Sequence, residues 1–302
     1  MKIFAGIFAA IALLALAGRQ ASGQSNGMVS QYMFNKLLIN PAYAGNDEAL
    51  TASFLHKDHW TGLKSAPVTS VFSAHTPLNN KVGLGLAVVN DQMGGLNQKG
   101  AYGSYAYRIQ APGYTLAMGL QAGLTAYRYR PLFLRDEFDP AFEGAEASGA
   151  EPNFGAGVFY ETRDFYAGFS IPQLFKFGGC RSLSYSLQRR SYIFHGGYSA
   201  ALSPAFILSP TVLVYLKGRH KPEINLNVNL LIDRKVWIGA IYRNLNNLGF
   251  LGKIQASPQF SVGYGYDFNM GEIDSLSAGS HEIMLQYSFI YFEKNAVSPR
   301  FF

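Results

Sequence analysis

The chain has 302 residues, of which 48% are hydrophobic, 15% aromatic and only 15% charged, against roughly 25% charged in an average soluble domain. So much apolar content excludes a disordered chain, and a single cysteine, Cys180, excludes a disulfide scaffold. A formal charge of +6 without a basic, aromatic-interleaved helix is too dilute for a nucleic-acid binder, whereas 32 glycines, 19 tyrosines and 23 phenylalanines point to β structure at a lipid boundary.

The first segment reads as an address. Lys2 is followed by an apolar run from Ile3 to Ala17, and Ala21-Ser22-Gly23 offers small residues ahead of a cleavage at Gln24. This is the pattern of a secretory signal peptide over residues 1–23. The run is short for a retained anchor, since a spanning helix needs roughly 20 residues. Removal of Lys2 and Arg19 with it leaves a net charge of about +4. No cysteine follows the run to carry a lipid.

Residues 24–47 precede the first expected strand, and Pro41 and Gly45 there suit a fixed turn. From residue 48 onward the spacing is period-2 rather than helical. Strands are expected at 48–58, 67–77, 82–91, 99–109, 114–128, 153–162 and 165–171. They continue at 190–202, 206–217, 223–232, 235–244, 249–257, 259–268 and 280–291. In the stretch from Glu223 to Ile232, Ile224, Leu226, Val228 and Leu230 share one face, while Asn225, Asn227 and Asn229 share the other. A soluble sandwich alternates in the same way. Connection lengths separate the two. Short turns at Pro77 to Lys81, Ala111 to Gly113, Arg163-Asp164, Ser203-Pro204, Asp233-Arg234 and Ser257-Pro258 alternate with mostly longer ones. The longer ones include Asp58 to Ala66, Gln92 to Gln98, Tyr129 to Pro152, Pro172 to Arg189 and Asn269 to Gly279. Short turns on one side and longer loops on the other are the signature of a membrane barrel.

The expected fold is therefore all-β: a transmembrane antiparallel barrel of about fourteen strands (12–16) over residues 48–292, with a tail at 293–302. Tyrosines such as Tyr102, Tyr105, Tyr107, Tyr127, Tyr166, Tyr198 and Tyr264 fall near strand ends, as in an interfacial girdle, although strands favour tyrosine in any case.

Catalytic signatures do not assemble. His56 and His59 face opposite sides of a strand, and a zinc site would need ligands from elsewhere. Ser199 lacks the second glycine of a nucleophile elbow. Gly83/Gly85, Gly155/Gly157 and Gly263/Gly265 precede no helix and read as small residues on one strand face. Neither a catalytic role, a cofactor nor a metal is expected, and Cys180 is a spare thiol or an intermolecular handle.

Two loops carry opposite charge. One holds Asp136, Glu137, Asp139 and Glu143, with Glu146 and Glu151 beyond; the other holds Lys176, Arg181, Arg189 and Arg190 with no acid. They could pair, meet lipid phosphates or a surface partner, or simply be solvated, which is the ordinary fate of exposed charges.

Gln31-Tyr32-Met33-Phe34-Asn35, followed by Leu38 through Asn40-Pro41-Ala42-Tyr43-Ala44-Gly45, resembles the opening signature of the PorP/SprF family. Further matches run in order through His59-Trp60-Thr61-Gly62, Ser73 to Pro77, Gly83 to Leu86, Tyr166 to Leu174, Val236 to Arg243, Gly263 to Phe268, Ser280 to Leu285 and the tail Ser298 to Phe302. Lys36 departs from the proline expected there. The resemblance implies an outer-membrane protein of the type IX secretion and gliding motility machinery of Bacteroidota, supporting export or surface attachment of large adhesin-like cargo. Its partners would be outer-membrane lipid, the C-terminal domains of secreted cell-surface adhesins, and periplasmic or lipoprotein components of the apparatus. Residues 24–47 would then be a short N-terminal segment at the periplasmic rim or a hatch in the barrel mouth, with Gln31, Tyr32, Asn40, Pro41, Tyr43 and Gly45 as candidate partner-contact or hatch residues. An outer-membrane pore for passive or hydrophobic solute uptake is the alternative.

Overall fold

The computed structural model describes residues 29–47, 49–130, 146–175, 190–218, 221–244, 247–269 and 277–289. Strands follow in chain order as β1 (Leu50–Asp58), β2 (Val68–Pro77), β3 (Val82–Met93), β4 (Leu96–Ala111), β5 (Tyr114–Tyr129), β6 (Ala147–Glu161) and β7 (Phe165–Ile171). Then come β8 (Ser191–Tyr198, resumed at Ala200–Ala201), β9 (Phe206–Lys217), β10 (Glu223–Ile232), β11 (Val236–Arg243), β12 (Asn247–Gln255), β13 (Phe260–Asn269) and β14 (Ser280–Phe289). Each pairs antiparallel with its neighbours in sequence, and β14 pairs with β1 from Phe289 opposite Leu50 to His281 opposite Asp58. The fourteen strands therefore close into a barrel. Closure is what lipid demands, because an open edge would leave unpaired backbone groups costing several kcal/mol each.

The alternation is inside out relative to a soluble protein. In β10, Asn225, Asn227 and Asn229 are buried in the lumen while Val228 faces outward. Phe54, Phe72, Leu86, Leu120, Leu124, Phe250 and Ile283 likewise lie exposed on the outer wall, Leu120 at 63%. In the same strands Lys57, Ser73, Lys253 and Glu282 are buried. An apolar exterior around a polar interior is stable only where the exterior meets acyl chains.

Connections sort onto two mouths. One has turns at 78–81, 112–113, 162–164, 202–205, 233–235 and 256–259. The other carries 59–67, 94–95, 130–146, 172–190, 218–222, 244–246 and 270–279. Two expectations change. The connection expected over Gln92 to Gln98 is a two-residue turn at Gly94-Gly95, because β3 and β4 continue as a ladder to Met93 opposite Leu96. The loop expected to last until Pro152 ends at Glu146, because β6 pairs with β5 from Ala147 opposite Tyr129. Pro152 is tolerated there because β6 meets β7 only from Ala156 onward, so its missing N–H falls on an edge.

Proline also explains the break in β8. Gly197 opposite Thr211 and Ala200 opposite Leu208 keep one register across the gap, where Tyr198 faces Pro210. Pro210 has no N–H to give the ladder. Ser199 stays inside and its hydroxyl meets that of Ser209 at 3.0 Å, a structural contact.

Of the expected girdle tyrosines, Tyr105, Tyr107, Tyr198 and Tyr264 face outward, whereas Tyr127 and Tyr166 are buried inside. Strand parity, rather than nearness to a strand end, decides which way each ring points.

Candidate functional site

The segment before β1 forms three 3-10 turns, Tyr32–Phe34, Lys36–Leu38 and Pro41–Tyr43. The third is capped by Asn40, whose side chain accepts from the Ala42 N–H at 3.0 Å, with Pro41 at the first helical position, where its missing N–H costs nothing. Gln31, Tyr32, Asn40, Pro41, Tyr43 and Gly45 are all buried. They lie inside the ring. The sequence left the rim and the lumen both open for them.

Contacts from this segment reach every strand. Asn35 donates to Ser53 of β1 and Ser73 of β2, both at 2.8 Å. Gly45 N–H donates to His75 Nδ1 of β2 at 3.2 Å, and Ala44 O accepts from Arg108 of β4 at 2.8 Å. Gly83 of β3 and Gly119 of β5 have no room for a Cβ, which would collide with the backbone of Ala44 and of Pro41-Ala42 respectively. Asn40 donates to the Val158 carbonyl of β6 at 2.9 Å and meets His195 Nε2 of β8 at 3.1 Å. Ser170 of β7 donates to Ile39 O. Tyr32 meets Thr211 of β9 at 3.4 Å, and Asn227 of β10 donates to Met33 Sδ. Phe34 packs edge-on against Trp237 of β11, with Lys253 Nζ of β12 4.7 Å above its ring. Ser30 and Gln31 bind β13 and β14.

Glycine is required twice over at Gly45. Its φ of +66° is left-handed, and a Cβ would strike Thr76 O and Arg108. Lys36, which replaces the expected proline, is buried. It donates from Nζ to Met33 O at 2.8 Å and lies 5.1 Å and 4.9 Å from the Tyr43 and Tyr166 rings. Two aromatic faces and one carbonyl thus replace water around the ammonium.

The start of the segment sits in a charge cluster that sequence reasoning missed. Ser30 N–H donates to Glu282 Oε2 at 2.6 Å, and Gln31 N–H to Oε1 of the same carboxylate at 2.8 Å. The Ser30 hydroxyl donates to Asp267 at 2.7 Å and accepts from Lys57 at 2.7 Å and Arg243 at 3.0 Å. Lys57 Nζ also lies 2.6 Å from Asp267 and 3.3 Å from Glu282, and Arg243 lies 3.6 Å from Asp267. Two cations and two carboxylates balance, the condition under which buried charge is affordable. Each reads singly as a strand-end charge, and only the fold unites them.

Of the loop charges, Asp136, Glu137, Asp139, Glu143, Lys176, Arg181 and Arg189 lie outside the described residues. Arg190 is exposed and donates from Nε to Leu174 O at 3.2 Å. Glu146 pairs with Arg130 at 3.3 Å. Among the described residues no group of three or more His, Cys, Asp or Glu is placed to hold a metal ion. His56 instead meets Ser70 at 2.9 Å.

Comparison with known proteins yields a family and a fold. The type IX secretion system membrane protein family PorP/SprF matches residues 21–287. No match is found among curated proteins. The CymD monoaromatic hydrocarbon channel superposes with a TM-score of 0.53 at 12% identity, over 89% of this chain and 95% of its own. The Acinetobacter baumannii outer membrane protein Omp33 does so with a TM-score of 0.50 at 7% identity, over 80% of this chain and 99% of its own. At such identities the likeness is one of fold alone.

Proposed function

The chain belongs to the PorP/SprF family of type IX secretion system membrane proteins, and from that premise we propose that it serves export or surface attachment of large adhesin-like cargo as a docking barrel rather than a conduit. The observation that carries this reading is the lumen segment, in contact with all fourteen strands. A route for a polypeptide through the ring would require breaking the cluster around Ser30 and the contacts of Asn35 and Asn40 together. Cargo domains and partner components of the apparatus then have the two mouths and the outer wall to bind, with the longer connections as the cargo-facing side. The acidic run at Asp136 to Glu143 and the basic run at Lys176 to Arg190 belong to those connections and supply opposite charges for partner recognition. In this reading the leader at residues 1–23 is removed on export.

Passive uptake of small or hydrophobic solutes is the competing role, and the resemblance to a hydrocarbon channel gives it its support. A continuous lumen would be needed for it.

Deletion of the gene is the direct test. Loss of adhesins from the cell surface, with cargo accumulating in the periplasm, is the expected result. Normal display with no periplasmic build-up would overturn the proposal.

A further inference from the structure

We infer that the lumen segment runs the whole depth of the wall, so that the chain comes into the barrel from the mouth of the long connections and leaves it at the mouth of the short turns. The strands provide the ruler. Ser30 is held by Lys57, Arg243, Asp267 and Glu282. Lys57 is one residue from the end of β1, Arg243 is the last of β11, Asp267 is two from the end of β13, and Glu282 is two from the start of β14. All four of those strand ends open onto the long connections.

The other end of the segment is placed by different residues. His75, which receives the Gly45 N–H, is two residues from the end of β2, and Arg108, bound to Ala44 O, is three from the end of β4. Asn46 donates at 3.0 Å to Glu161, the last residue of β6. These ends all open onto short turns. Between the two sets, Asn35 and Asn40 meet Ser53, Ser73, Val158 and His195 in strand interiors. On β1 the two sets lie six residues apart, from Lys57 to Thr51, the partner of His75, which is most of that nine-residue strand and about 20 Å along it.

Ser30, near the upstream end of the described segment, therefore lies at the mouth of the loop at 59–67, not at that of the turn at 78–81. In an outer-membrane barrel the long connections face the cell exterior, so the lumen segment enters the barrel from the exterior side. This inference rests on the outer-membrane placement and not on the role in secretion.

Cysteine accessibility tests it in the full chain in cells, in a Cys180→Ala background. Ser25→Cys reports the upstream end, Lys64→Cys the long-connection mouth and Asn80→Cys the short-turn mouth, the latter two at exposed positions. With a membrane-impermeant maleimide, Ser25→Cys is expected to label together with Lys64→Cys in intact cells, while Asn80→Cys labels only after permeabilisation. Labelling of Ser25→Cys that follows Asn80→Cys, or its absence before and after permeabilisation, would overturn the threading. Neither readout depends on whether adhesins are secreted.

Discussion

Glu282 holds Ser30 by its backbone across 252 residues of chain, one carboxylate oxygen 2.6 Å from the Ser30 nitrogen and the other taking the next N–H. A carboxylate that accepts two consecutive amides acts as a cap on a segment that has no helix to end. The same group lies 3.3 Å from Lys57, so a single side chain fastens the plug and balances the wall.

Glu282→Gln keeps the shape but removes the charge and turns an amide NH2 towards an N–H donor. Breaking one member of a buried ion cluster costs about 3–5 kcal/mol. The expected outcome is a lowered unfolding midpoint in detergent, followed by the shift in gel mobility on heating. An unchanged midpoint would mean that the cluster contributes little to holding the segment.

Gly119 lies against the backbone of Pro41 and Ala42, where any Cβ collides. Gly119→Val is expected to push the third 3-10 turn off the wall, an overpacking cost of about 1–3 kcal/mol. Lys36, now buried, should then become a site of tryptic cleavage, which mass spectrometry of limited digests will detect. A barrel as protease-resistant as the native one would contradict that packing.

Planar-bilayer recordings address the lumen directly. The native chain is expected to show no porin-like conductance, and a variant lacking residues 29–45 is expected to show steady open currents. Large conductance from the native protein would favour solute uptake over docking.

Replacement of Pro210 by valine supplies the N–H missing opposite Tyr198 and leaves an apolar side chain on the outer face. One added backbone bond is worth about 1 kcal/mol, more where lipid offers no alternative partner. The unfolding midpoint should rise, and the Tyr198 region should exchange its amide hydrogens more slowly.

His59 begins the loop at 59–67, outside the spanning strands. Burial, reinforced by Lys57 and Arg243, pushes its pKa down to about 3. In the opened loop it returns to an ordinary value near 6.5, so between the two the open form takes up the proton. The stability it lends the loop is therefore intact above about pH 6.5 and declines as pH falls towards 3. Hydrogen exchange at the Thr61 amide, which donates to Gly279 O at 2.8 Å, should accelerate over that range once intrinsic rates are removed.

The wall was legible in the sequence because alternation and short turns are local properties: each of the fourteen strands overlaps the span the pattern gives it, although β3, β4 and β6 run further, and Gly83, Gly157 and Gly263 do turn a bare face inward. Pro152 misled, since a proline reads as a breaker unless the missing neighbour of its strand is known. The path of the plug was not legible. Lys57, Arg243, Asp267 and Glu282 are far apart in sequence, and their meeting is a property of closure rather than of any window of residues. One signal was present without being readable. The motifs that carry the family resemblance include Ser73, His75, Gly83, Ser170, Arg243, Asp267 and Glu282, and each of these touches the lumen segment.

The seam between Leu50–Asp58 and Ser280–Phe289 has a consequence for biogenesis. Its two margins are the earliest and latest strands to leave the ribosome, so a partial product has no way to satisfy either one. Any frameshift or nick that removes β14 exposes both rims at once and takes from Ser30 and Gln31 the carboxylate that accepts their amides, and such fragments should be degraded rather than inserted.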